Sequence, residues 1–348
     1  MHMGSVNTGD FGFLDAAVEG KRIIFVGESP HGVREFHDVL FPLLCHLHRH
    51  RRLRVVAFEA MYGLHPVFEA VSLGRREFAE GPRLLKLIAE YNEAQAEPLL
   101  ATCVDIEHAI SHTKPATVRY LSYLADCADS DEAAERLRGH VSKLPRLRER
   151  SELHGFLDTL GSLFHEDRRA FPSEDMDEIR FSLELMHASV DSHLLPYADT
   201  VEHAERRGKY FRASITRALA KAERRDGILL CYVGGAHVSK QPRTADEPCC
   251  GRWSEAEYFA NVHPSTRGKV ASLTFVAACY RGQEGYTDSL CDAERAYLDA
   301  APPTSTVAYM DVRMLVGEAT DATCASLSPD GPKHDGVFLF RDVAPVDR

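Results

Sequence analysis

The sequence predicts an α/β protein: a mostly parallel central sheet flanked by helices, with a helical insertion covering the carboxyl ends of the strands. Three observations carry this reading. Short, continuous apolar runs rich in β-branched residues recur along the chain, as strands buried on both faces do. Helical stretches separate them, the order that builds a parallel sheet. Residues 115–225 hold no such run and are rich in Leu, Ala, Glu and Arg at helical spacing.

Residues 23–26 (Ile-Ile-Phe-Val) form the first strand, which stops at Gly27; Glu28, His31 and Gly32 follow within five positions. Residues 33–51 read as a helix kinked at Pro42, with Phe36, Val39, Leu40, Leu43, Leu44 and Leu47 at helical spacing. His46, His48 and His50 share its end with several arginines, and basic residues there complement the helix dipole. Residues 54–58 form a second strand ending in Glu59, and residues 62–70 and 82–90 are helical. Residues 99–104 form a third strand, followed by Asp105, Glu107 and His108.

The insertion, 115–225, comprises four or five helical segments broken near Pro145, Pro172 and Pro196. Residues 228–233 return to the strand pattern and run into Gly234-Gly235-Ala236-His237, where the glycines let backbone approach closely. Residues 242–251 are loop-like, 270–278 form another strand, 308–312 a short one, and 336–340 the last. No internal repeat is visible, and residues 11–348 read as a single α/β domain containing the insertion.

Composition narrows the function classes. The 348 residues are 44% hydrophobic and 27% charged, ordinary for a globular chain. A net charge of −11 opposes non-specific binding to nucleic acid or anionic membranes. No apolar run approaches the roughly 18 to 20 residues of a membrane span, and residues 1–10 lack a signal-peptide pattern. The nine cysteines contain no CxxC pair; Cys103, Cys231 and Cys279 lie in or beside apolar runs, as small hydrophobes do. A reduced, cytoplasmic setting follows.

Four strand ends therefore deliver Glu28 with His31, Glu59, Asp105 and His237. Each carboxylate alone would serve as a helix cap. Together, at the carboxyl ends of strands about 4.8 Å apart, they occupy the crevice where open α/β sheets bind ligands. Two imidazoles and several carboxylates there would perturb one another's pKa values, which suits acid–base or metal chemistry. No GxSxG elbow, phosphate loop, HExxH or post-strand GxGxxG occurs.

These residues also carry a resemblance. Gly27-Glu28-Ser29-Pro30-His31-Gly32, then Arg34-Glu35-Phe36, then Val56-Ala57-Phe58-Glu59-Ala60 resemble the opening of the erythromycin esterase family. That family shows Gly-Glu-x-x-His-Gly, a Phe-rich helix, and a strand ending in Phe-Glu or Leu-Glu at similar spacing. Gly235-Ala236-His237-Val238 resembles its second histidine motif. The likeness covers about residues 20–65 and 227–240. It implies a general base at His31, helped by Glu28, Glu59 and His237. The chain departs from the family at Gly234-Gly235, where a His-Asn pair is usual, and at residues 210–216, where an Arg-Asp-x-x-Met signature is absent. The Gly-Gly-x-His ending resembles the wider superfamily of ChaN-like haem-binding proteins and Tiki- or TraB-like metalloproteases.

The expected function is a hydrolase-type enzyme acting on an ester, lactone or amide of a small molecule, as in natural-product tailoring or antibiotic resistance. Catalysis falls to His31, Glu28, Glu59 and His237, and substrate binding to Arg34, Asp105 and His108. No cofactor is expected. The alternatives are a divalent-metal hydrolase or peptidase with Glu28, His31, Glu59 and His237 as ligands, a biosynthetic cyclase or dehydratase, and a haem or iron carrier. The partner is a small molecule, not nucleic acid or membrane, and the oligomeric state is open. Phe164, His165, Tyr197 and Tyr210 of the insertion are expected to wall the pocket.

Overall fold

Seven strands form one sheet in the computed structural model, which describes residues 11–77, 82–106, 110–171, 176–193, 201–241, 254–280, 290, 292–301, 306–312, 327–328 and 331–344. The strands are β1 (Ile23–Ser29), β2 (Leu53–Met61), β3 (Leu100–Asp105), β4 (Ile228–Gly234), β5 (Val270–Ala277), β6 (Val307–Asp311) and β9 (Gly336–Phe340). Between the last two, β7 (Leu327–Ser328) and β8 (Gly331–Pro332) pair with each other alone. The sheet order is β3-β2-β4-β1-β5-β9-β6. Every pairing is parallel except β6 with β9, so the mostly parallel sheet read from the sequence is present.

Alternation along the strands sorts side chains onto two faces. Ile24 and Val26 of β1, Val56 and Phe58 of β2, and Leu230 and Tyr232 of β4 belong to one core. That core includes Phe36, Leu40, Leu43 and Leu47 of a long helix. Ile23, Phe25, Val55, Ala57, Leu229 and Cys231 belong to the opposite core, with Phe211, Ile215 and Leu219 from a helix on that side. Burial on both faces is why these segments are apolar throughout rather than alternating.

The helices are α1 (Asp15–Val18), α2 (Arg34–Arg51), α3 (His65–Ser72), α4 (Arg83–Asn92), α5 (Ile110–Asp126), α6 (Asp131–Val141), α7 (Arg150–Glu166), α8 (Met176–His193), α9 (Val201–Arg224), α10 (Glu255–Glu257) and α11 (Asp292–Ala300). The first core holds α2, and the second holds α9 with α10. Local signals set several ends. Ser130 caps α6 by accepting from the Ala133 N–H, and Glu149 and Glu152 form a reciprocal capping box on α7. Pro42 sits inside α2 and Pro115 inside α5, whose start at Ile110 lies upstream of the compositional change at 115. Pro145 falls in a 3₁₀ turn between α6 and α7; Pro172 and Pro196 lie outside the described residues.

Among the described residues, α5 to α9 occupy the span between β3 and β4. At the carboxyl end of β2, Tyr62 donates a hydrogen bond to Glu178 of α8, and Glu69 of α3 pairs with Lys221 of α9 at 2.8 Å. Cys103 and Cys231 are buried free thiols, as expected, whereas Cys279 is exposed because β5 has already ended at Ala277. Among the described residues no helix is long and apolar enough to cross a membrane.

Gly27 is fixed by packing. A Cβ there would overlap the Val238 side chain and lie 3.1 Å from the Gly235 Cα. Gly27→Ala is therefore expected to destabilise the fold by about 1–3 kcal/mol, an overpacking cost, read as a lower urea midpoint with unchanged slope.

Candidate active site

β1 and β4 are neighbours, and their register sets Glu28 opposite Gly234. Beyond β1 the chain turns through Gly32, whose φ of +70° suits a residue without Cβ. The turn brings His31 back over the strand end, with Nδ1 2.9 Å from Glu28 Oε1. The other carboxylate oxygen of Glu28 accepts from the buried Tyr232 hydroxyl on β4. The hydrogen bond to Glu28 raises the His31 pKa above its ordinary 6.5 despite partial burial. The His31 side chain is 67% exposed, whereas that of Glu28 is 11% exposed. Burial, then the Glu28 charge, holds the Tyr232 hydroxyl well above its ordinary pKa, so it stays a donor.

Gly234 makes this approach feasible. A Cβ there would sit 2.8 Å from His31 Cε1, 3.0 Å from its Nε2 and 3.2 Å from Glu59 Oε2. The His31 ring and the Glu59 carboxylate thus share the space that any side chain at 234 would fill.

The second half of the site is a buried charge network. The Gly234 N–H donates to Glu59 Oε2 at 2.5 Å. Arg207, from α9, donates Nη2 to Glu59 Oε1 at 2.7 Å. The same guanidinium forks onto Asp105, with Nε–Oδ1 at 2.9 Å and Nη2–Oδ2 at 2.6 Å. His237 lies beside them, Nε2 3.3 Å from Glu59 Oε1 and Nδ1 2.5 Å from Glu255 Oε2. Its ring stacks on Phe211 of α9, with centroids 4.9 Å apart and planes 8° from parallel. Arg212 approaches Glu255 at 3.8 Å.

Protonation follows from these partners. Burial works against the charge on His237, but Glu255 and Glu59 outweigh it and raise its pKa to about 9. Burial also opposes the Glu59 charge, yet His237, Arg207 and the Gly234 N–H hold its carboxyl well below the ordinary range. Burial raises Asp105 above its usual value even with Arg207 opposing. At neutral pH the network contains a histidinium and an ionised Glu59.

The structure thus brings Glu28 and His31 together, joins Glu59 to His237, and links Asp105 to Glu59 through Arg207. Arg34 stands in the first turn of α2, 4.0 Å from Asp38. His108 lies outside the described residues. Sequence reasoning missed Arg207, Glu255 and Tyr232. Arg207 had a usable signal, since Arg207 and Phe211 are four apart on one helix face; Glu255 had none.

The insertion also encloses a cleft of about 1370 Å³ between α7, α8 and α9. His165 and Tyr210 line it, as does Arg212, which links it to Glu255. Phe164 instead turns inward and packs on Phe171 at 4.9 Å. An apolar ring on the buried face of α7 gains more from the core than from a wet wall. Tyr197 lies outside the described residues. No three His, Cys, Asp or Glu side chains among the described residues converge in a metal-holding geometry.

No protein-family model matches the sequence, and no curated protein matches it. Solved structures do share the fold. A mutant of the erythromycin esterase EreC in its open conformation superposes with a TM-score of 0.63 at 13% identity, over 97% of this chain and 95% of that one. A succinoglycan biosynthesis protein gives 0.62 at 12% identity, over 96% and 91%. A Bacillus cereus protein gives 0.60 at 14% identity, over 98% and 93%. The class defined is an α/β protein with the erythromycin-esterase-like fold; at these identities the likeness is one of fold.

His237 carries a stability signature. Its folded pKa exceeds its unfolded value, so its contribution is complete below pH 6.5 and disappears as pH rises through about 9. Denaturant unfolding from pH 6 to 10 should show wild-type stability falling by at most roughly 3 kcal/mol across that window. In His237→Gln the decline should largely vanish.

Proposed function

We propose that this protein is a hydrolase acting on an ester or lactone bond of a small molecule, with His31 as its general base. The observation that supports this most is the Glu28–His31 pair at 2.9 Å. One imidazole nitrogen is held by a largely covered carboxylate while the ring stands at the exposed rim. A carboxylate that fixes the imidazole tautomer and steadies the imidazolium is the arrangement general-base catalysis uses.

In this reading a water molecule gives a proton to His31 Nε2 as its oxygen attacks the carbonyl carbon. Negative charge then develops on the carbonyl oxygen. When the intermediate collapses, the carbon–oxygen bond to the leaving group breaks and the His31 proton passes to the departing alkoxide. The products are a carboxylic acid and an alcohol. His237 and Arg207 supply fixed positive charge beside the reacting centre. Glu59 is already spent on Arg207, His237 and the Gly234 N–H, which makes it a poor proton acceptor. Its role is to keep those cations in place.

The donor atoms favour acid–base chemistry over metal ligation. Nδ1 of His31 is engaged by Glu28, and both nitrogens of His237 face carboxylates. Activity that persists after dialysis against a chelator is the expected outcome.

The reading is tested on a panel of aryl esters and lactones. His31→Ala should lower kcat/KM by about 10² to 10⁴ and Glu59→Gln by about 10² or more, both with unchanged circular dichroism. Because the base must be neutral, wild-type kcat/KM should rise with pH through a value above 6.5 and fall away in acid. Wild-type turnover by His31→Ala would overturn the assignment.

A further inference from the structure

We infer that Tyr232 is a positioning residue that sets the basicity of His31 through Glu28. The inference rests on the reading of His31 as the base, but its test does not need turnover. Glu28 has two carboxylate oxygens with different partners: Oε1 faces His31 Nδ1 at 2.9 Å, and Oε2 accepts from the Tyr232 hydroxyl. Tyr232 sits on β4, the strand paired with β1, two positions before Gly234. The register that sets Glu28 opposite Gly234 therefore also delivers this hydroxyl.

The phenol is an unusual choice for that place. The side chain lies among Leu230, Phe58 and Val26 in the core that holds α2, where a phenylalanine would fill the same space. Its ring meets Phe58 edge-on at 6.5 Å and His37 of α2 at 5.9 Å. A buried hydroxyl has to find a partner or cost stability, and here the partner is the carboxylate behind the base.

The physical effect has a definite sign. A hydrogen bond donated to an ionised carboxylate stabilises that charge and draws electron density away from its other oxygen. Glu28 then binds the imidazolium less tightly than an otherwise free carboxylate would. Tyr232 thus limits how far Glu28 raises His31, and it fixes the carboxylate plane that orients the ring. Without it, more His31 would be protonated near neutral pH and unable to accept a proton from water.

The test is Tyr232→Phe with the His31 ring followed by NMR from pH 5 to 10, its resonances assigned by their loss in His31→Gln. The His31 pKa should rise by roughly half to one unit. On any ester the wild type cleaves, the acid limb of the pH–rate profile should shift by the same amount. In a Glu28→Gln background, adding Tyr232→Phe should move the titration no further, because the relay is already cut. If Tyr232→Phe fails to fold, 3-fluorotyrosine placed at 232 alone gives the opposite arm: a more acidic phenol donates more strongly and should lower the His31 pKa. An unchanged His31 titration in a folded variant, or an equal shift in the Glu28→Gln background, overturns the proposal. A shifted titration combined with wild-type turnover by His31→Ala would leave the relay standing and remove His31 as the catalytic base instead.

Discussion

Three carboxylates, Glu59, Asp105 and Glu255, meet in a small volume at one end of the sheet, and their repulsion has to be met by cations inside that volume. Arg207 and His237 meet it. The guanidinium spans Glu59 and Asp105, and the imidazole spans Glu59 and Glu255. Removing either cation would leave a buried charge without its partner, a large penalty. The contacts also tie together elements remote in sequence: β2, the end of β3, the turn after β4, α9 and α10. Placement of α9 across the sheet is thus an electrostatic matter as well as an apolar one.

This constraint divides the two histidines. They are the same residue type in the turns that follow adjacent strands, yet their surroundings differ sharply. His237 is buried, stacked on Phe211 and flanked by carboxylates on both nitrogens, so it is a fixed cation. His31 stands at the rim with one carboxylate behind it, so its proton can exchange with solvent. Environments that push the proton affinities of neighbouring groups apart are how one fold supplies acid and base together.

Much of the sheet was legible because strands buried on both faces leave continuous apolar runs. All seven strands of the main sheet coincide with segments read that way, including the short edge strand β6. Glu28 and His31 were legible as a pair because they lie three positions apart in one turn. Their convergence with His237 was expected from the strand ends, but the order that produces it was not legible, since nothing local says that β4, arriving after α5 to α9, inserts between β2 and β1. Arg207 is one of many arginines in a helix rich in them; its spacing from Phe211 marks a helix face, but only tertiary packing aims it at Glu59 and Asp105. Glu255 sits in a helix of three residues, too short for periodicity to declare a face. The hairpin of β7 and β8, two residues a side, has no pattern to read.

The network turns on His237 being a cation between the Glu59 and Glu255 carboxyl groups. Nitrogen-15 chemical shifts of its ring at pH 7.5, with the residue assigned by substitution, report that directly. Both ring nitrogens should fall in the protonated range and stay there until about pH 9. One protonated and one bare nitrogen at pH 7.5 would contradict it, because a neutral imidazole there could not balance Glu59 and Glu255.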